Sequence, residues 1–116
     1  MKPACTALAL AAAAPAYAEI YGGVATWYGD ESGRYTANGE TYDADDLTCA
    51  HRTYPFDTLV RVSWRGGSVI CRVNDRGPDK STGADIDLSR GAARQIHMID
   101  AGRVRVIIEK LGKMLE

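Results

Sequence analysis

Alternation of apolar and polar residues marks two neighbouring stretches in the middle of the chain as strands. The first, Leu59–Trp64, places three apolar side chains on one face: Val60, Val62 and Trp64. The second, Ser68–Val73, does the same with Val69, Cys71 and Val73. Gly66 and Gly67 lie between them and can adopt the positive φ values of a tight turn. The pattern therefore predicts a β-hairpin with one buried face.

Three other stretches have strand patterns of differing strength. Residues 103–109 alternate clearly, with Val104, Val106 and Ile108 on the apolar face. Gly22–Tyr28 and Asp85–Leu88 are weaker, and the second is short and flanked by turn residues. Together with the hairpin, they indicate a chain in which short strands dominate.

One helix is expected from Arg90 to His97, with Ser89 as its N-cap. Its inward face would carry Ala92, Ala93 and Ile96. Short strands, one helix and long loops predict a single all-β domain with a small α content. A closed barrel suits a domain of this size because closure removes exposed strand edges.

The N-terminal segment reads as a secretory signal rather than as part of the domain. Lys2 is followed by an unbroken apolar run, Leu8–Ala14, and then by Ala16-Tyr17-Ala18, a small-residue cleavage site. The alternative, a membrane anchor, needs roughly 20 apolar residues. We therefore expect residues 1–18 to be removed, which leaves residues 19–116 as a soluble periplasmic or secreted domain without a membrane span.

Charge and cysteine content narrow the class of protein further. The chain has 14 Lys and Arg against 15 Asp and Glu, so it lacks the strongly basic character of a nucleic-acid-binding domain. Cys5 would leave with the signal. Cys49 and Cys71 then remain as an even pair in an oxidising compartment, where we expect a disulfide between them.

Polar residues concentrate in three predicted connections: Tyr28–Asp46, Thr48–Asp57 and Asn74–Gly83. Asp75 lies two residues beyond Val73 and so has the parity of the buried face where that strand ends. A partly desolvated carboxyl at a barrel rim is suited to general acid catalysis. The alternative is that Asp75 only stabilises the turn before Gly77-Pro78.

Other polar and aromatic side chains in these regions also have two interpretations. Glu40 is either functional or a solvated carboxylate, and His51 either orients a partner or is structural. Asp87 is either a second acid or a partner for backbone donors near the helix start. Trp27 and Tyr28 could stack on sugar rings, although a core position for one of them fits equally well.

Two other chemistries fit the residues less well. Cys49 and His51 could form a thiol nucleophile with its base, but Cys71 offers Cys49 a disulfide partner. Zinc binding by Cys49, Cys71, His51 and His97 lacks the close paired-ligand spacing of such sites. Near the end of the predicted helix, His97 is explained by the helix dipole.

Five motifs in order resemble the rare lipoprotein A (RlpA) family of lytic transglycosylases. They are Gly23-Val24-Ala25-Thr26-Trp27-Tyr28-Gly29, Thr36-Ala37-Asn38-Gly39-Glu40, Ala50-His51-Arg52-Thr53-Tyr54-Pro55-Phe56, Val73-Asn74-Asp75-Arg76-Gly77-Pro78 and Ile86-Asp87-Leu88-Ser89. The resemblance implies a six-stranded double-psi β-barrel. It also implies cleavage of peptidoglycan glycan strands, with a preference for strands without stem peptides.

The family's acidic and histidine positions correspond to Glu40, His51 and Asp75, which we take as the catalytic candidates. In related barrels the functional acid corresponds instead to Asp87, so the choice between the two aspartates stays open. Substrate contacts are expected from Trp27, Tyr28, Asn38, Arg76 and Asp87. We expect a monomer that needs no metal or other cofactor.

The resemblance leaves two rival functions. A noncatalytic, expansin-like module would bind or loosen cell-wall glycan on the same barrel, because function depends on the site and not on the fold. A hydrolytic muramidase would use similar carboxylates and differ in letting water reach the intermediate.

Overall fold

The computed structural model of this chain describes residues 19–30, 33 and 35–113. The predicted signal segment, with Cys5, lies outside the described residues. Within the described part of the chain, no helix is both long and apolar enough to cross a membrane.

Six strands form the framework of the described chain: β1 (Ile20–Tyr28), β2 (Thr48–Ala50), β3 (Thr58–Trp64), β4 (Gly67–Asp75), β5 (Ile86–Ser89) and β6 (Arg103–Lys113). They close into a barrel in the order β1-β5-β2-β4-β3-β6. The pairs β1–β5 and β2–β4 are parallel, and the other neighbours are antiparallel. A 3₁₀ turn (Lys80–Thr82) precedes β5, and a short helix, α1 (Arg90–Gln95), follows it.

The barrel interior is built from the alternating apolar positions that the sequence indicates. On β3, β4 and β6 these side chains are buried as predicted: Val60, Val62, Val69, Cys71, Val73, Val104, Val106 and Ile108. From α1 and the turn after it, Ala92, Ala93 and Ile96 join the same core. Burial of these apolar surfaces is the main stabilising contribution to the fold.

Strand β2 corrects the prediction that Thr48–Asp57 is entirely a loop. Thr48, Cys49 and Ala50 are all buried and pair with β4 on one side and β5 on the other. Three residues are too few to show a period of two. A strand buried on both faces also lacks alternation, so the local sequence carries no signal for it.

The predicted β3–β4 hairpin is confirmed, but its turn differs in detail from the expectation. Trp64 pairs with Gly67, which makes Arg65 and Gly66 the connecting residues. Of the two glycines, Gly67 has the positive φ, 145°, and it is the first residue of β4. Gly66 is required for another reason: a Cβ there would collide with the Ile96 carbonyl and the Trp64 indole.

Helix α1 begins as predicted and ends two residues earlier. The Ser89 hydroxyl accepts a hydrogen bond from the Ala92 N–H, which is the expected N-cap. His97 has a left-handed conformation, φ 61°, and the Met98 N–H bonds back to the Ala93 carbonyl. The helix therefore closes before His97 because the chain turns there to bury Met98.

The predicted disulfide between Cys49 and Cys71 is confirmed. The two Cα atoms are 5.8 Å apart, and both residues are fully buried. The bond links β2 to β4. It therefore reinforces a parallel pairing to which β2 contributes only three residues.

Replacing both cysteines, Cys49→Ala with Cys71→Ala, should lower the free energy of unfolding by roughly 3 kcal/mol, because the bond closes a loop and so restricts the unfolded chain. Urea unfolding of the oxidised protein, the reduced protein and the variant would measure this. The reduced protein and the variant should agree closely. Free thiols in the purified native protein would contradict the pairing.

Candidate active site

Three neighbouring strands bring two acidic side chains to one cleft. Asp75 at the end of β4 and Asp87 in β5 are both paired with Ala50 of β2. Paired residues on adjacent strands lie on the same face of a sheet. The cleft around them has a volume of about 340 Å³ and is lined by Tyr28, Tyr35, Ala50, Asp75, Arg76, Gly77, Pro78, Asp79 and Asp87.

The expectation that Asp75 shares the buried face with Val73 is wrong because a β-bulge intervenes. Cys49 pairs with Val73, but the next residue of β2, Ala50, pairs with Asp75. Asn74 is therefore an extra residue in β4, and the bulge turns Asp75 away from the core. The predicted position at the end of the strand holds, and the side chain is half-buried in the cleft.

Three donors orient the Asp75 carboxylate. The Tyr28 hydroxyl donates to Oδ2 at 3.3 Å, and the backbone N–H groups of Ala37 and Arg76 donate to Oδ1, each at 2.9 Å. The Asp75 carbonyl accepts from the His51 N–H at 3.2 Å. Asp75 thus joins β4 to the loops on either side of it, and its carboxylate has a defined direction into the cleft.

Asp87 lies in the same cleft in different surroundings. Its Oδ1 accepts a hydrogen bond from the Thr26 hydroxyl at 3.0 Å across the parallel β1–β5 pair. The cap at the start of α1 is provided by Ser89 instead. Asp87 therefore remains a second acid candidate beside Asp75.

The two aromatic residues at the end of β1 divide between the core and the cleft. Trp27 pairs with the buried Leu88, packs against the core and donates its indole N–H to the Ile99 carbonyl. Trp27 is not among the residues that line the cleft, and a substrate contact from it stays a prediction. Tyr28 lines the cleft, where burial, and next the Asp75 charge, raise the pKa of its hydroxyl so that it stays protonated.

Glu40 is held by an arginine that the sequence analysis did not identify. Arg72 of β4 donates to both carboxylate oxygens of Glu40, each at 2.9 Å, and the Asn74 amide donates at 3.0 Å. Arg72 also contacts Asp57 at 3.1 Å. The hydrogen bonds from Arg72, followed by that from Asn74, lower the pKa of Glu40 to about 2, so Glu40 is ionised at neutral pH.

Asn38 organises the loop that carries Glu40. Its side-chain oxygen accepts from the Thr36 hydroxyl at 2.6 Å and from the Glu40 N–H at 3.1 Å. Its backbone N–H donates to the Asn74 carbonyl at 3.2 Å. The contacts of Asn38 lie within this loop and with β4, so they support the site without placing Asn38 among the residues that line the cleft.

The His51 ring does not contact either catalytic carboxylate candidate. Its Nδ1 accepts from the N–H groups of Thr53 and Tyr54, and its Nε2 lies 3.3 Å from the Tyr21 hydroxyl. Burial, and then the charges of Arg52 and Arg76, lower the pKa of His51 to about 4. The neutral ring therefore stabilises the loop that follows β2, and its role in orienting an acid stays a prediction.

Arg76 forms one side of the cleft, but its guanidinium faces the loop that follows β2. It donates to the carbonyls of His51 and Tyr54 at 3.3 and 2.9 Å and lies over the Phe56 ring at 3.9 Å.

Within the described residues, no group of three or more His, Cys, Asp or Glu is arranged to hold a metal ion.

Three residues that matter to the site were missed from the sequence: Arg72, Tyr35 and Tyr42. Tyr42 stacks on Tyr28 with ring centroids 5.0 Å apart and donates to the Tyr28 carbonyl. Arg72 carried no distinguishing signal, because it occupies a position off the buried face of an alternating strand, where a charged residue is ordinary. The loop tyrosines had none either.

Comparison with known proteins identifies relatives over most of the domain. The family described as lytic transglycolase matches residues 20–108. A probable endolytic peptidoglycan transglycosylase RlpA of Synechocystis is 48% identical over 100 residues, which are 84% of this chain and 31% of that protein. Endolytic peptidoglycan transglycosylase RlpA of Campylobacter jejuni is 45% identical over 100 residues, 84% of this chain and 36% of that protein.

This chain thus spans about a third of the length of those two relatives. Among solved structures, a Clavibacter michiganensis expansin has a TM-score of 0.65 and 20% identity, over 84% of this chain and 52% of that one. At that identity the likeness concerns the fold alone. The family match and the closed six-stranded barrel together establish that this chain belongs to the lytic transglycolase family and has its double-psi β-barrel fold.

Proposed function

We propose that this domain cleaves the β-1,4 bond between N-acetylmuramic acid and N-acetylglucosamine in peptidoglycan glycan strands, without using water. The observation that carries the proposal is that one loop connects two differently held carboxylates: its Ala37 N–H bonds to Asp75 in the cleft, and it carries Glu40, which is ionised beside Arg72 and is not among the residues that line the cleft. Two carboxyl groups with separate roles are what glycosidic bond cleavage requires.

In this proposal Asp75 acts first as the acid and then as the base. Its proton passes to the leaving O4 of N-acetylglucosamine while the bond from C1 of the muramic acid to that oxygen breaks. The carboxylate then takes the proton of the muramic C6 hydroxyl as O6 bonds to C1. The product has a 1,6-anhydro ring, and Asp75 ends protonated as it began.

Glu40 has the complementary role of stabilising positive charge. With a pKa of about 2, it carries no proton to give at neutral pH, which leaves Asp75 and Asp87 as the candidates for the acid. A fixed negative charge stabilises the cationic sugar most strongly in the transition state.

His51 is a positioning residue in this scheme. Its backbone N–H bonds to the Asp75 carbonyl, and its ring accepts two N–H groups of the following loop. The backbone bond joins the residue after β2 to the end of β4, and the neutral ring holds the loop that follows.

The relatives' names support the substrate, since both are called peptidoglycan transglycosylases. Because the chain covers only part of each, their activity is carried over as part of the proposal. We further propose that residues 1–18 direct export and that the domain acts as a monomer in the periplasm or outside the cell. The disulfide is consistent with that location. A formal net charge of −1 makes nucleic acid an unsuitable partner.

Incubation of the purified domain with glycan strands lacking stem peptides should release fragments with 1,6-anhydro ends, because ring closure replaces attack by water. Mass spectrometry of the products distinguishes the three functions. Anhydro ends support the transglycosylase. Reducing ends would indicate a hydrolase, and intact bound strands would indicate an expansin-like binding module.

Asp75→Asn should lower the turnover number by a factor on the order of 10² to 10⁴, because the amide can neither give nor accept the proton. The substitution keeps the size of the side chain, so circular dichroism should show a folded barrel. Initial rates of anhydro-product release measure the effect. Full activity in folded Asp75→Asn would remove Asp75 as the acid.

Two matched variants complete this series. Asp87→Asn should retain most of the turnover if Asp87 is structural, and a selective loss there would transfer the acid role to it. Glu40→Gln removes the negative charge and should lower turnover while glycan binding is largely kept, because the charge acts mainly in the transition state.

The stability of the protein should fall as the pH is lowered from about 6.5 towards 4, partly because of His51. Its pKa is about 4 in the folded state and about 6.5 when unfolded, so the unfolded chain takes up the proton first. The difference corresponds to on the order of 3 kcal/mol. Urea unfolding at several pH values should show a shallower dependence in His51→Gln than in His97→Gln. Equal slopes in these two variants would contradict a buried neutral His51.

A further inference from the structure

The cleft needs an apolar surface for a sugar ring, and the two predicted aromatic residues do not provide one. Trp27 faces the core. Tyr28 is only 7% exposed, and its ring stacks on Tyr42, so it presents its hydroxyl to the cleft rather than its face. Sugar sites in proteins usually combine such a ring with a few directed polar groups.

Tyr35 has the exposure that the other two lack. Its side chain is 67% exposed, and it lines the same cleft as Asp75 and Asp87. Of the residues that line the cleft, Tyr35 is the one with an accessible aromatic ring. A single exposed apolar side chain is ordinary on a protein surface. Its location beside two acid candidates is what gives this one significance.

Backbone contacts fix the position of Tyr35 relative to the acid. Tyr35 forms an antiparallel bridge with Thr41, and the Thr36 N–H donates to the Glu40 carbonyl at 2.8 Å. Two residues after Tyr35, the Ala37 N–H donates to Asp75 Oδ1 at 2.9 Å. One loop therefore carries the ring and also orients the carboxylate, so a sugar stacked on the ring has a defined relation to the acid.

We propose that Tyr35 is the stacking platform for a pyranose ring next to the bond that is cleaved, and so a binding residue of this cleft. The inference rests on the proposed function. The apolar C–H face of the sugar would lie on the phenol ring, and its hydroxyl edge would face the carboxylates of Asp75 and Asp87. The surface that the cleft itself exposes is mainly polar, so the exposed phenol ring at its edge is the aromatic surface available to the sugar.

The test compares Tyr35→Ala with Tyr35→Phe on glycan strands without stem peptides. Tyr35→Ala should raise KM by about tenfold with kcat nearly unchanged, which corresponds to about 1.4 kcal/mol, within the range that aromatic contacts contribute. Tyr35→Phe keeps the ring and should behave as the wild type. Ile107→Ala removes an apolar side chain that is also exposed, 51%, but lies away from the cleft, and it should have no effect.

Binding is measured separately from catalysis with a third variant. In Tyr35→Trp the indole should change its fluorescence when the strands are added, and this signal should persist when Asp75→Asn is combined with it. If the wild type cleaves the strands and Tyr35→Ala has the same KM as the wild type, the proposal that Tyr35 is a stacking platform is overturned. The proposed function then stands. If the wild type neither binds nor cleaves them, both are overturned.

Discussion

The closed barrel depends on three residues, Thr48–Ala50, which form the strand between β5 and β4. Without them β5 and β4 would have no strand between them, and the barrel would be open at that point. Their own pairing is short, and it is reinforced from two directions. Cys49 is bonded to Cys71 of β4, and the Thr48 N–H donates to the Ser89 hydroxyl, which also caps α1. The strand that brings the cleft together is therefore held by side chains as well as by its ladder.

The cleft exists because β4 breaks its regular alternation at Asn74. In a regular strand Asp75 would face the apolar interior, where an ionised carboxylate without donors is costly. The bulge places Asp75 on the other face, beside Ala50 and Asp87. Bulges that redirect a side chain are common near active sites. In this protein the same extra residue also supplies the Asn74 amide that binds Glu40.

Electrostatics distinguishes the surroundings of Glu40 from those of Asp75. Glu40 has a guanidinium on both oxygens, which favours its charged form. The Asp75 carboxylate accepts hydrogen bonds from one phenol and two backbone N–H groups. None of these three donors carries a positive charge. Differences in environment of this kind assign acid and charge-stabilising functions to chemically similar groups. The division depends on Arg72, whose partners are 32 and 15 residues away along the chain.

The sequence by itself determined the elements with long alternation, the hairpin β3–β4 and β6, because their period is a local property. It also predicted the disulfide, since Cys49 and Cys71 are the two cysteines outside the predicted signal segment, and it indicated the family, since five ordered motifs are specific. Only the tertiary structure decided that Thr48–Ala50 is a strand, that Trp27 faces the core and that Asp75 turns away from it. It likewise decided that Arg72 holds Glu40 and that Tyr35 lines the cleft. These features depend on pairing register and on contacts between distant residues, for which a linear pattern carries no signal.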